Sequence, residues 1–582
     1  MVDPAAEMLG LPAAPAPGSH AESPATVMVP AVAGGATAMG GGFDAADRFD
    51  QALSMWNSPV QHPDLEILPD KDIVDGRAHD MLRNDAFVQG GATLRKDNIV
   101  GGQYLLNCRP ATKLLWGRED EVWEEEFQEE VEEKWELDVD SSDNWIDAQR
   151  TNNFTSLVRL AVGVHLAGGE VLAAVEWLRD GRPFNTAIQM LDTARLSDPL
   201  DRVITPMERE NIRGGIRFNA QGAPVSYFIR TQHPNDVFYT MLGIPQWKEV
   251  EIRKPWGRMQ IIHIHEQIRP DQSRGVSELA TSLREQKFSR RFRDVNLQRA
   301  IMQSLYAAAI TSELPSAEVF ARMGGVGLDN PEAVTQAVTN YATGYLASVA
   351  QYTGGAKAPR LDGVRIPHFF PGTKLEMLSP TSGHALGMEF EQSLLRYIAA
   401  SIGVSYEQLS RDYTNTNYSS ARAAMTETWK FMQAQKKLVA DRFANTIFRL
   451  WLEEMISKGE ITTFPRSKMG MLYGTDNRGR RFLNRNFNAL SRCDWVGASR
   501  GQIDELKETQ AAVLRISNGL STAEDELARL GKDFRKVYRQ LAREQKMRES
   551  LGLTFMATDP ATMAAMNALS ATPTDEPAPR NA

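Results

Sequence analysis

Thirty-six consecutive residues, Ala421 to Ile456, contain neither glycine nor proline. A run of that length without a breaker predicts one long helix. Within it Trp429, Met432, Lys436, Val439, Phe443, Ile447, Leu450 and Glu454 step by three or four, so a mostly apolar stripe must face a neighbour. The segment feeding this helix has the opposite character. It holds Arg411, Asp412, Thr414, Asn415, Thr416, Asn417 and Ser419, with Tyr413 and Tyr418 between them. Hydrogen-bonding groups are plentiful there, and groups able to do acid–base chemistry at neutral pH are few. Ser419 is expected to cap the helix by accepting an orphan N–H. Loops positioned by a rigid helix commonly carry function.

Two other segments have a readable plan. Met81 to Asn107, MLRNDAFVQGGATLRKDNIVGGQYLLN, reads as an Arg/Asn-rich helix that turns at Val100-Gly101-Gly102 into a strand. Trp495 to Arg548, beginning WVGASRGQIDELKETQ, carries helices with Lys/Arg-rich outer faces. With the loop and long helix, these segments resemble the portal proteins of lambda-like tailed bacteriophages, and the match runs in order over about Gln51 to Leu551. None of them is a catalytic signature.

The resemblance implies an α+β portal fold with a wing, a stem of long helices, a small β-rich clip and a helical crown. On that plan residues 1–43 form a disordered tail and 44–185 the first part of the wing. Residues 186–265 form the clip with flanking stem, and 266–313 a stem helix. Residues 314–500 complete the wing, with a tunnel loop at about 408–420 and the long helix at 421–457. The crown spans 501–553, and 554–582 are a second disordered tail. Arg411, Asn415, Thr416, Asn417 and Tyr418 would line the tunnel, and Arg290, Arg291 and Arg293 are candidate stem contacts. The implied function is a twelve-subunit ring at one capsid vertex, a conduit for double-stranded DNA during packaging and ejection. Implied partners are the large terminase subunit, the major capsid protein and scaffold, and head–tail connector proteins, with no enzyme activity, cofactor, metal or membrane. The implied location is the virion, after assembly in the host cytoplasm. A viral structural or scaffold protein without a DNA channel is the alternative reading.

Composition bears on that picture. The 582 residues are too many for one ordinary core and predict two to four domains. With 65 basic and 74 acidic residues the formal charge is −9, against the basic footprint expected of a protein that grips phosphates. Twelve copies would carry 12 × −9 = −108, which suits a wall along which DNA slides. Cys108 and Cys493, the only cysteines, lie far apart in sequence and fit a reducing compartment better than a disulfide framework. Apolar runs fall short of the roughly 18–20 residues that span a bilayer, and no secretory signal opens the chain.

The acidic helix expected at Glu119 to Asp140 holds thirteen acids and one lysine. Trp123, Phe127, Val131 and Trp135 recur every four residues on it, a stripe to be packed. A further reading has its acidic face meet a basic surface of a neighbouring subunit. Helices are also expected at Asp70 to Asp85, Asn153 to Leu166, Gly275 to Glu313 and Gly387 to Ile402. Gly90-Gly91 is expected to make a turn. Residues 186 to 265 read as β, with a hairpin from Arg213 to Pro234. Two C-terminal helices are expected, Ile503 to Gly519 and Ser521 to Leu551. No phosphate-cradling G-x-x-x-x-G-K-[ST] motif and no G-x-G-x-x-G motif occurs. Asp138, Asp140 and Asp143 mimic the start of a calcium loop but lack its glycine, and position twelve is Gln149. His263 and His265 read as structural residues of a strand.

Overall fold

Aromatic side chains set the centre of the fold. In the computed structural model the described residues are 58–200, 211–234, 246–306, 385–414, 416–475, 481–501 and 504–553, with isolated positions elsewhere. The chain divides into Met1–Gln61 and His62–Ala582, and every element below belongs to the second unit. Both predicted tails lie outside the described residues, as does most of 307–384.

Helices α1 (Pro63–Asn84) and α2 (Ala86–Ile99) open the unit. Asp85 separates them and caps α2, its carboxylate accepting the N–H groups of Phe87 at 3.0 Å and Val88 at 3.1 Å. The turn expected at Gly90-Gly91 is not formed, because both glycines lie inside α2. Gly91 is used for close packing instead: a Cβ there would sit 3.1 Å from side-chain carbons of Ile402 and Leu409. Strand β1 (Leu105–Cys108) and helices α3 (Thr112–Trp116), α4 (Glu121–Asp138) and α5 (Phe154–Gly168) follow. Of the stripe on α4, Phe127, Val131 and Trp135 are buried as expected and Trp123 is half-buried. The Trp135 ring meets Phe154 at 4.8 Å, Trp451 at 5.2 Å and Phe448 at 5.5 Å, all edge-on.

Strands β2 (Glu170–Trp177), β3 (Thr186–Leu191), β4 (Ile212–Arg213), β5 (Ile216–Phe218), β6 (Pro224–Arg230), β7 (Trp247–Glu251) and β8 (Ile261–His265) form two antiparallel sheets. The hairpin predicted at Arg213 to Pro234 is β5–β6 with β4 and β7 beside it. The segment 186–265 holds six of these strands, β3 to β8, among its described residues. Its first and last strands, β3 and β8, flank β2 in a three-stranded sheet, which ties the segment into the body. Leu172, Leu191 and Ile261 of that sheet share a second core with Ile216, Tyr227 and Ile229 of the four-stranded one.

Helix α6 (Leu283–Tyr306) begins later than the predicted Gly275, and its predicted extension past residue 306 lies outside the described residues. Residues 273–278 are not helical, and they bond buried groups instead: the Gly275 N–H and Arg274 bind Glu170, and Ser273 binds Asp64. Two-residue strands β9 (Arg360–Leu361) and β10 (Val364–Arg365) pair with each other. Then come α7 (Ala385–Ile402), α8 (Tyr406–Ser410), α9 (Tyr418–Gln435) and α10 (Arg442–Lys458). The predicted long helix is α9 and α10 joined by a π-helical stretch, Lys436–Asp441, and it ends on left-handed Gly459. Strands β11 (Tyr473–Thr475), β12 (Arg481–Leu483) and β13 (Cys493–Val496) and helix α11 (Arg485–Leu490) complete the body, β13 pairing with β1.

The C-terminal part has three helices where two were expected: α12 (Glu505–Ser517), α13 (Ala523–Arg529) and α14 (Phe534–Leu551). The break falls at Gly531, which has φ +72°, and Asp533 starts the last helix by accepting the Lys536 N–H at 2.8 Å. Neither α12 nor α14 buries a residue. The outer face of α4 has a basic partner within its own chain. Arg539 of α14 meets Glu129 at 2.6 Å and Glu133 at 3.3 Å, and Lys536 meets Glu136.

Candidate functional site

The loop at 411–417 depends on what holds α9 and α10. Phe443, Ile447, Phe448 and Trp451 of α10 are fully buried. Glu454, at the far end of the stripe, accepts the backbone N–H groups of Asn185 at 2.5 Å and Thr186 at 2.8 Å and pairs with Lys458 at 2.7 Å. Burial pushes its carboxyl up, but these donors outweigh that and hold it below the usual range. Arg258 binds Glu453 at 3.0 Å, so the helix end is fixed to the sheet.

The π-helical stretch is fixed by charge. Lys436, the polar member of the predicted stripe, reaches Asp441 at 3.1 Å and donates to the Trp495 carbonyl at 2.8 Å. The Tyr104 hydroxyl also donates to Asp441. One residue earlier, Gln435 accepts from Arg95 at 3.0 Å. Arg95 forks onto Glu278, whose other partner is His165 at 2.9 Å. Burial raises the Glu278 carboxyl, but His165 and Arg95 overcome that and bring it to about 2. The π stretch places Lys436 and Asp441 on one buried side, where they pair with each other and bind the Trp495 carbonyl and the Tyr104 hydroxyl of the body.

The loop is built from local hydrogen bonds. Ser405 and Gln408 form a capping box at the start of α8. Arg411 ends α8 in the left-handed region at φ 57° and is exposed. Asp412 accepts from the Thr414 hydroxyl and N–H, at 2.5 Å and 3.1 Å, and these bonds hold its carboxyl below the usual range. The Thr416 N–H donates to the Tyr413 carbonyl at 3.2 Å. Asn417 accepts from the Ser420 N–H at 2.8 Å and starts α9. The expected cap at Ser419 is therefore replaced by Asn417, and Tyr418 is the first helical residue rather than part of the loop. Thr428 donates to Gln408 at 3.0 Å, linking the two legs. Thr416 is half-buried and Asn417 exposed, while Asn415 lies outside the described residues. Arg411 and Asp412 are the only charged residues from 411 to 417, so the segment is formally neutral.

The three candidate arginines of α6, Arg290, Arg291 and Arg293, are not equivalent. Arg293 meets Asp85 at 2.8 Å and Glu391 at 3.9 Å, and its guanidinium lies over the Phe87 ring at 4.9 Å. It packs α6 against its own subunit. Arg290 is half-buried and Arg291 exposed, and from Asp294 to Arg299 every residue is exposed.

Sequence reasoning missed the most buried charged group. Glu170 is fully buried at the start of β2. It takes Arg274 at 2.6 Å, Lys71 at 3.3 Å, His263 at 3.0 Å and the Gly275 N–H at 3.1 Å. Arg274 also donates to the carbonyls of Leu196, Gly214 and Thr193, and Lys71 to those of Gly168 and Gly275. Burial alone would raise the Glu170 carboxyl, but Arg274 and Lys71 hold it well below the usual range. The partners lie up to 105 residues away, so no spacing signal exists. His263 serves this network, and His265 stacks on it at 4.7 Å. Burial and the neighbouring His263 bring His265 to about 4.

No group of metal-binding side chains is found among the described residues, and none of their helices is long and apolar enough to cross a membrane. Residues 49–436 match the family model described as phage portal protein, lambda family. The chain is 33% identical to the portal protein of Escherichia phage N15 over 88% of its own length and 90% of that protein. It is also 33% identical to portal protein B of Escherichia phage lambda, over 87% and 89%.

The chain belongs to the lambda family of phage portal proteins.

A portal function in the phage head follows from that membership, and with it a structural role in the virion. The neck of a native gene transfer agent particle, computed with C12 symmetry, is similar over 83% of this portal protein and 97% of that chain. Identity there is 12% and the TM-score 0.35, a likeness too slight to carry a conclusion.

Proposed function

We propose that this portal protein closes into a ring of twelve at one capsid vertex, and that the loop at 411–417 lines its bore. The observation that supports the assignment is the contrast along one helix: α10 is locked in the core, while the loop at the start of α9 is exposed, polar and formally neutral. A strip of lysine and arginine would grip phosphates with steep salt dependence. Weak polar contacts let a duplex pass in either direction. Arg411, Asn415, Thr416 and Asn417 make these contacts, with Tyr418 at the rim.

Helix α6, within the 266–313 span, forms the stem and packs on α7 through Phe292 and Phe390 at 5.2 Å. Arg291 is exposed on α6, as are Arg284 and Arg299. Helices α12 to α14 form the crown. The ring docks the large terminase subunit, is seeded with scaffold and major capsid protein in the host cytoplasm, and later receives connector proteins.

Two measurements test this reading. End-on electron micrographs should show an annulus, with a particle mass near twelve times 64.8 kDa. Thr416→Ala with Asn415→Ala should leave rings intact and lower the yield of full heads. Asn417 is better changed to Ser, because removing the cap outright costs ~1 kcal/mol of helix stability. Full heads at normal yield from the double variant would remove the loop from the bore.

A further inference from the structure

The two cysteines, 385 positions apart in sequence, are direct partners in the β1–β13 ladder: Cys108 lies opposite Cys493. Far apart in sequence, they are neighbours in the fold, and both are free thiols. The hydrogen bonding fixes which kind of partners they are. The Arg109 N–H donates to the Arg492 carbonyl at 2.9 Å, so 109 and 492 are a hydrogen-bonded pair. The Cys108 N–H does not enter the ladder but donates to the Glu132 carboxylate at 2.9 Å. Hydrogen-bonded and non-hydrogen-bonded pairs alternate in an antiparallel ladder, so 108 and 493 occupy a non-hydrogen-bonded site. Cα atoms at such sites are ~4.5 Å apart with both side chains on one face. A disulfide accepts Cα separations of about 4.4–6.8 Å.

We propose that Cys108 and Cys493 form a reversible cross-strand disulfide, present as two thiols under reducing conditions and closed by a small-molecule disulfide under oxidising ones. Cys493 is half-buried and Cys108 fully buried, so Cys493 reacts first. Its sulfur attacks the small-molecule disulfide as a thiolate, which forms a mixed disulfide and expels one thiolate. The Cys108 sulfur then attacks the Cys493 sulfur and expels the second. Two protein thiols are oxidised, one external disulfide is reduced to two thiols, and the two protons end on those thiols or in solvent. The reduced Cys493 Sγ contacts Asn445 Oδ1 at 3.1 Å, and Trp495 Nε1 donates to the same oxygen at 2.8 Å. Withdrawing the thiol therefore leaves Asn445 satisfied. Burial pushes Cys493 up to about 12 and Cys108 well above the usual thiol range, so closure is slow. The bond would join the strand that follows α2 to the strand that precedes the C-terminal helices, closing the long loop from β1 to β13 and leaving α1, α2 and α12 to α14 outside it.

The full-length protein is incubated with oxidised glutathione at mildly alkaline pH and digested without reduction. A peptide linking 108 to 493, both residues lost to alkylation, and a higher thermal midpoint reversed by reductant are the expected results. Glutathione retained on Cys493, a link between two chains, or two freely alkylated thiols after prolonged exposure would each overturn the proposal. Cys493→Ser sits at a half-exposed position and should abolish both the link and the oxidant-dependent shift. A shift that persists in this variant would show that another group responds.

Discussion

Glu170 and Glu136 are both carboxylates facing basic side chains, and they hold different kinds of joint. Glu170 is sealed among Arg274, Lys71, His263 and the Gly275 amide, where the four-stranded sheet, α1 and the segment before α6 converge. Glu136 and its neighbours on α4 meet Lys536 and Arg539 of α14 with about half of each side chain in water. The chemistry is alike and the dielectric is not. A buried pair lacks water as an alternative partner, so losing one member strands the other. An exposed pair exchanges ligands with solvent and is screened by salt. The first joint fixes the arrangement of the body, and the second holds a helix with no buried residue.

The largest effect expected is from Glu170→Ala, which leaves Arg274 and Lys71 buried with no counter-charge and should cost ~3–5 kcal/mol. Denaturant unfolding followed by tryptophan fluorescence measures it. A midpoint unchanged from the parent protein would mean that the apolar cores alone hold the two sheets together.

Acid should come next. Glu278 is held at about 2 against an ordinary 4.5, and Glu170 is also depressed. Stability from depressed carboxylates is full above the ordinary value and is lost as pH falls through the folded one. Two groups act at higher pH in opposite senses. His265, at about 4, makes the fold lose stability as pH falls below about 6.5. Burial raises Glu132 to about 7, which makes the fold gain stability over part of the same range. The two oppose each other, so melting temperatures should change little between pH 7 and 5 and fall steeply between about 4.5 and 2. A steep fall already complete by pH 5 would shift the weight to His265.

The smallest effect belongs to the exposed joint. Lys536→Glu with Arg539→Glu should change global stability by less than ~1 kcal/mol. Limited proteolysis at Leu530–Asp533 should nevertheless quicken, and 1 M salt, with a screening length of about 3 Å, should do the same to the parent protein. Equal cleavage in all three cases would show that α14 is held by something other than charge.

Period-based reading found what repeats locally. The four-residue spacing of Trp123, Phe127, Val131 and Trp135 gave both a helix and its buried face. The absence of breakers gave α9 and α10, and alternation gave the hairpin at β5–β6. It failed where a residue's meaning depends on a distant partner. Gly90 and Gly91 look like a turn until Ile402 and Leu409 are known to press on α2. Ser419 looks like the cap, although Asn417 two residues earlier has the same capacity and the loop's own hydrogen bonds choose between them. The strands at 186–191 and 261–265 look like one module with those between them until β2 pairs with both. Of the candidate loop, its polarity, neutrality and supporting helix were legible, and its internal bonding was not.

The sequence alone determined the local periods and the family, because both are properties of neighbours along the chain or of segments in order. Only the tertiary structure decided that Glu170 has Arg274 and Lys71, that the acidic face of α4 has α14, and that the two cysteines share a ladder rung. These pairings join residues from about a hundred to about four hundred positions apart, and their energy depends on burial. No spacing encodes burial, since it exists only once the elements have packed.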